Sequence, residues 1–185
     1  MEHIEHQKIS LEQELRKEIE EKILIDGHVV WGHGTSSKEL ADRILENGIT
    51  GNEAYGLMEM AIPLSDPDKT KSDNSQLIVN SLNNWPHKNC KYVIIVEIPQ
   101  GHRAAQVTET FFDEKLERER SRLPSRFVKG YVNVSNYKLV ENSLFQENAA
   151  PTITQTEKGL PTQQTKVGTH PPIPSVGENI EQDVW

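Results

Sequence analysis

The sequence predicts a mixed α+β domain over residues 27–145, and three observations predict it. Apolar side chains recur at helical spacing in residues 10–25, in the stretch after Ser36 and in residues 77–85. The run KYVIIVEIP is continuously apolar at its centre, as a strand buried on both faces should be. Residues 127–134 alternate between apolar and other side chains, as a half-buried strand does.

The elements follow in order. Leu11, Leu15, Ile19 and Ile23 repeat every four residues between charged faces, and Ser10 with Gln13 has capping-box spacing, so a helix is expected over residues 10–25 within an N-terminal segment 1–26. His28 to Trp31 is a short apolar strand. Ser36 and Glu39 have capping-box spacing again. Leu40, Ala41, Ile44 and Leu45 then form one helical face, and Gly48 stands where a left-handed C-cap belongs. Thr50-Gly51-Asn52 is a turn, and residues 65–75 read as a polar loop. Leu77, Ile78, Ser81, Leu82 and Trp85 share one face of a helix that Pro86 stops. Residues 111–122 read as a short charged helix. Residues 127–134 and 137–140 are strands joined by a turn at residues 134–137. From residue 146 onward Thr, Gln, Pro and Gly dominate. Such a tail buries too little apolar surface to offset its ordering entropy, so disorder is expected over 146–185.

Composition narrows the function classes. In 185 residues, hydrophobic side chains make up 35%, with the deficit at the two ends, so the middle still has a core to bury. A net charge of −8 repels a phosphate backbone, and generic nucleic-acid binding is not expected. The exception is a short basic cluster of Arg118, Arg120, Arg122, Arg126 and Lys129. The lone Cys90 excludes an internal disulfide framework, and no apolar run approaches the length of a membrane span or of a signal-peptide core. A soluble cytoplasmic protein is expected, with no membrane association. His87 and Cys90 have metal-like spacing, but no second pair accompanies them, so no metal site is assigned.

The stretch Gly32-His33-Gly34-Thr35-Ser36 carries the chemistry. A helix N-terminus leaves backbone N–H groups free and carries partial positive charge. Two glycines permit close approach to the backbone, His33 offers a ring donor and acceptor, and Thr35 and Ser36 add hydroxyls. Such a turn suits a ribose, an amide or a phosphate. A structural histidine beside a capped helix is the alternative.

VVWGHGTSSKELADRILENGI resembles the first motif of the ADP-ribosyltransferase superfamily, in its diphtheria-toxin and poly(ADP-ribose) polymerase branch. There a strand ends in His-Gly-Thr or His-Gly-Ser, and a helix follows toward Ile-Leu-x-x-Gly-Ile, here Ile44, Leu45, Gly48 and Ile49. The resemblance implies a split β-sheet fold and NAD as co-substrate. It implies that His33 bonds a ribose hydroxyl and that the Gly34 backbone bonds the nicotinamide amide, with Thr35 and Ser36 in the same turn. It further implies a tyrosine stacked on the nicotinamide, for which Tyr55, followed by Gly56, is the nearest match.

Breaking the nicotinamide–ribose bond calls for a carboxylate beside the developing positive charge. The family places a glutamate at the start of a late strand. LPSRFVKGYVNV resembles that strand, but Arg126 occupies the position and no carboxylate lies between Leu123 and Asn133. Glu119, Glu97 and Glu141 are the substitutes. Glu119 is preferred, because a loop there could reach the site, and it joins His33 as the catalytic pair. The resemblance therefore implies a NAD-dependent mono-ADP-ribosyltransferase acting on a protein or other macromolecular target. Two further readings stay open. One is a non-catalytic binding module of the same fold. The other is a relative of the RNA 2′-phosphotransferases, in which Arg126 would meet a phosphate.

Overall fold

The computed structural model describes residues 2–50, 61–102 and 107–149. The turn at Gly51 and Asn52, the candidate Tyr55 and the expected tail beyond residue 149 lie outside the described residues.

Helix α1 (Glu2–Glu18) runs into a π-helical turn (Ile19–Ile23). It starts eight residues before the expected cap, so Ser10 is interior. The pair Lys8–Glu12 joins residues one turn apart across the expected cap, and such a pair supports the helix where no apolar stripe announces it. The π turn has a geometric reason. Each four-residue step overshoots one α-helical turn by about 40°, so a stripe at Leu11, Leu15, Ile19 and Ile23 winds away from a flat surface. The wider turn, closed by the Leu24 amide donating to the Ile19 carbonyl at 3.0 Å, keeps both Ile19 and Ile23 buried.

The chain then forms β1 (His28–Thr35), α2 (Lys38–Asn47), β2 (Ile49–Thr50), β3 (Ile62–Pro63), α3 (Lys71–Asn83) and β4 (Tyr92–Pro99). A hairpin of β5 (Glu109–Asp113) and β6 (Arg118–Leu123) follows, then a 3-10 turn (Ser125–Phe127), β7 (Val128–Asn133) and β8 (Lys138–Glu141). Five strands make one antiparallel sheet in the order β3-β1-β4-β7-β8, and three make a second in the order β2-β6-β5. The fold is mixed α+β, and β4 is the buried centre of the larger sheet, as its apolar run predicts. Helix α2 covers one face, burying Ala41 and Ile44 with Ile94, Val96, Phe127 and Tyr131. The π turn and α3 cover the other, burying Ile19, Ile23, Ile78 and Leu82 with Val30, Val93 and Ile95.

Several local expectations change. Residues 111–122 form strands, not a helix. Arg120 and Arg122 face Phe111 and Glu109 across the hairpin at strand spacing, and the Asp113 side chain accepts the Lys115 and Leu116 amides to shape the turn. Helix α3 begins inside the expected loop, capped by Thr70, whose hydroxyl oxygen accepts the Asp73 amide at 3.2 Å. Gly48 has φ 80° as expected, but ψ is −176°, so the backbone is extended rather than left-handed helical. A methyl carbon there would lie 2.0 Å from the Leu123 carbonyl oxygen. The packed chain also continues past residue 145: the Gln146 amide donates to the Arg126 carbonyl, and Ala149 is buried in the α2-side core.

Candidate functional site

The expected turn at His33 is the last part of a strand. Antiparallel pairing with β4 sets His33 opposite Ile94, Gly34 opposite Val93 and Thr35 opposite Tyr92. Strand pairing through Thr35 moves the helix start by one residue. Ser37 caps α2, accepting the Leu40 amide at 3.1 Å, while Ser36 is an exposed bend residue. Glu39 completes the cap by accepting the Ser37 hydroxyl, so a carboxylate already occupies the first turn of α2.

Strand alternation then assigns each group a direction. Trp31, His33 and Thr35 share the face covered by α2, where Trp31 packs against the core that holds Ile94 and Val96. Thr35 is 6% exposed, and its hydroxyl oxygen has no hydrogen-bond partner among the described residues. His33 is half-buried beside it. Gly32 and Gly34 lie under the opposite face, where the Trp85 indole rests on them. A methyl carbon on Gly34 would meet Trp85 Nε1 at 2.6 Å and Cys90 Sγ at 2.9 Å, and one on Gly32 would meet Leu64 and Trp85 at 2.8 Å. On that face the space over the glycines is filled by tryptophan, not kept open for a ligand.

The backbone of Gly34 has a different aspect. The Val30 carbonyl accepts the Leu64 amide on the β3 side, and Thr35 accepts the Lys91 amide on the β4 side. Residues of one parity turn their N–H and C=O to the same edge, so Gly32 and Gly34 turn toward β3. Among the described residues β3 pairs only with Trp31 and Gly32.

The other candidates do not gather at His33. Glu119 is exposed on β6 opposite Phe112, itself 62% exposed. It stands four residues, about 13 Å of strand, from Leu123, where β6 enters the core. Arg126 lies in the 3-10 turn and forms an ion pair with Glu109 at 2.6 Å, and Arg122 reaches the same carboxylate at 3.4 Å. These residues line a notch of about 320 Å³ with Glu46, Asn47 and Ser125. Glu141 is exposed and meets Lys22 at 3.2 Å.

Glu97 is fully buried, and neither carboxyl oxygen has a hydrogen-bond partner among the described residues. Burial, and then the nearby Glu147, pushes its carboxyl up to about 8 against the pull of Lys129 and Lys71. It sits opposite Val30, on the face away from His33.

A carboxylate that sequence reading passed over does share the His33 face. Asp42 of α2 accepts the Tyr131 hydroxyl at 3.0 Å and the Lys38 ammonium at 2.7 Å. The Lys38 ammonium, with help from the Tyr131 hydroxyl, holds the Asp42 carboxyl below the usual carboxylate range. The only signal in the sequence is that Asp42 follows buried Ala41 and stands one turn after Lys38. No three His, Cys, Asp or Glu among the described residues are grouped to hold a metal ion, and no helix among them is long and apolar enough to cross a membrane. No family model matches the chain, and neither a curated protein nor a solved structure matches it.

Proposed function

We propose that this domain binds NAD at the end of β1 and acts as a NAD-dependent mono-ADP-ribosyltransferase-like protein on a macromolecular target. One observation carries the reading: the alternation of His33, Gly34 and Thr35. Among the described residues it offers a ligand an imidazole and a buried hydroxyl without a hydrogen-bond partner on one face, and the Gly34 backbone groups turned toward β3, which pairs only with Trp31 and Gly32. A carboxamide such as that of nicotinamide has one acceptor and one donor, so it complements a strand edge as another strand would. The imidazole suits a ribose hydroxyl. Two antiparallel sheets of five and three strands agree with the split β-sheet that the motif implies. A cytoplasmic setting is part of the proposal, and the unpaired Cys90 accords with it.

A second reading, a module that binds without transferring, draws on the exposure of Glu119 and on Glu97 facing away from His33. The phosphotransferase reading is weaker, because Arg122 and Arg126 already converge on Glu109. Titration calorimetry with NAD, on the full chain and on His33→Ala, tests the proposal. Micromolar to millimolar binding that weakens at least tenfold in the variant is expected. Equal affinity in the two proteins, or no heat with NAD, overturns it. Label transfer from NAD to lysate proteins then separates transfer from binding alone.

A further inference from the structure

Strand β8 ends the five-stranded sheet, and among the described residues no strand pairs with its outer edge. The Asn142 amide donates to the Lys129 carbonyl on the β7 side. Residues of one parity turn their N–H and C=O to the same edge, so Leu139 and Glu141 turn theirs outward. Helix α1 and the π turn run alongside. The Tyr137 hydroxyl donates to Glu12 at 3.3 Å at one end, and Lys22 meets Glu141 at 3.2 Å at the other. Glu12 to Lys22 spans about 15 Å of helix and Tyr137 to Glu141 about 13 Å of strand, so wall and edge match in length. Between them lies a groove of about 560 Å³ whose lining includes Leu11, Glu14, Leu15, Glu18, Tyr137 and Lys138. Its base is apolar: Leu15 is buried, Leu11 is half-buried, and Leu139 packs against the same core. Its helical wall is acidic. Residues 2–23 carry seven carboxylates against four lysines and arginines. Lys17 is held by Glu21, and Lys22 by Glu18 and Glu141. Glu14, exposed on the same wall, forms no ion pair among the described residues. Lys138 alternates with Leu139 and turns toward the α2 side, where Val140 packs.

We infer that the groove between α1 and β8 receives an extended, basic segment of a partner protein, which adds to β8 as a further strand. The outward N–H and C=O groups of Leu139 and Glu141 bond its backbone, and the groove selects its side chains. Residues facing Leu139 and Glu141 across an antiparallel ladder turn their side chains the same way, toward α1. An apolar side chain there covers Leu11 and Leu15. A lysine or arginine reaches Glu14 while its stem lies along the apolar base. The groove is on the sheet face away from His33, so this binding does not depend on NAD.

The probe is a labelled, end-blocked peptide, Lys-Lys-Leu-Val-Lys-Lys, which sets an apolar residue between two lysines on either face of a strand. Its counterpart has glutamate for lysine. Fluorescence anisotropy measures both against the full chain. The basic peptide should bind, and the acidic one should bind about tenfold or more weakly by comparison. Leu139→Pro removes an outward N–H and leaves the ladder to β7 intact, so it should weaken the basic peptide by about tenfold. Glu14→Lys should weaken it by about fivefold. Urea unfolding checks that both variants fold. No binding by the parent, equal affinity for the two peptides, or an affinity that Leu139→Pro leaves unchanged overturns the inference. A dimer that Leu139→Pro dissociates, with no peptide bound, gives the edge to a second copy and overturns it too. Should Leu139→Pro fail to fold, two peptides N-methylated on alternate residues, one for each parity, replace it. Loss of binding by one of them supports strand addition, and parent-like affinity for both overturns it.

Discussion

Glu97→Gln exchanges a buried carboxyl for a neutral amide of the same shape, and its consequence depends on pH. In the folded chain the carboxyl titrates at about 8, against an ordinary value of 4.5. Between those values the folded protein holds a proton that the unfolded chain has released. Stability is therefore fully present below the ordinary value and falls as pH rises, by about 1.4 kcal/mol per pH unit, until the folded carboxyl itself ionises. From pH 5 to pH 8 the parent should lose roughly 4 kcal/mol, a large part of the 5–15 kcal/mol of a typical domain. Glutamine carries no such proton, so the variant should lose none of this. Asp42 and Asp113, whose values are lowered, work in the opposite direction but below pH 4, outside this window. Urea unfolding followed by circular dichroism at pH 5, 6, 7 and 8 gives both curves. Two parallel lines, or a parent that gains stability toward pH 8 relative to the variant, would show that the carboxyl is hydrated or paired and that the reasoning fails.

Two other outcomes test the strand end itself. Ser37→Ala should cost about 1 kcal/mol by removing the cap of α2, whereas Ser36→Ala should stay within about 0.5 kcal/mol; equal costs in chemical unfolding would contradict the capping geometry. Gly34→Ala drives a methyl group against Trp85 and Cys90 and should cost about 1–3 kcal/mol, and a double-mutant cycle with Trp85→Leu should show strong coupling. Simple additivity of the two changes would argue against the contact.

What the sequence made legible was whatever one segment can say about itself. The continuous apolar run of β4 and the 3.6-residue period of α2 need no partner to be recognised, and both elements lie where their patterns put them. The β5–β6 hairpin was misread because its charged residues carry their alternation in pairs. Arg120 answers Asp113 at 2.9 Å, and Arg122 answers Glu109, so the sense of the pattern appears only when both strands are laid together. The two adjacent serines before α2 are chemically equivalent. The length of the strand pairing decides between them, and that is a tertiary fact. At the candidate site, the strand that leads into His33, Gly34 and Thr35 was legible. The packing reason for two glycines was not, because Trp85 arrives from a distant part of the chain. Asp42 was missed for the same reason: its partner Tyr131 comes from β7.

The indole lying on Gly32 and Gly34 also has a consequence over evolutionary time. A strand that presents bare backbone to an aromatic plate admits no side chain at those positions while the plate remains, and the plate cannot grow closer. A side chain at 34 is least costly where bulk has already been lost at 85 and at Cys90, because the reverse order passes through a clash. The histidine between the two glycines points to the other face and lies outside that constraint.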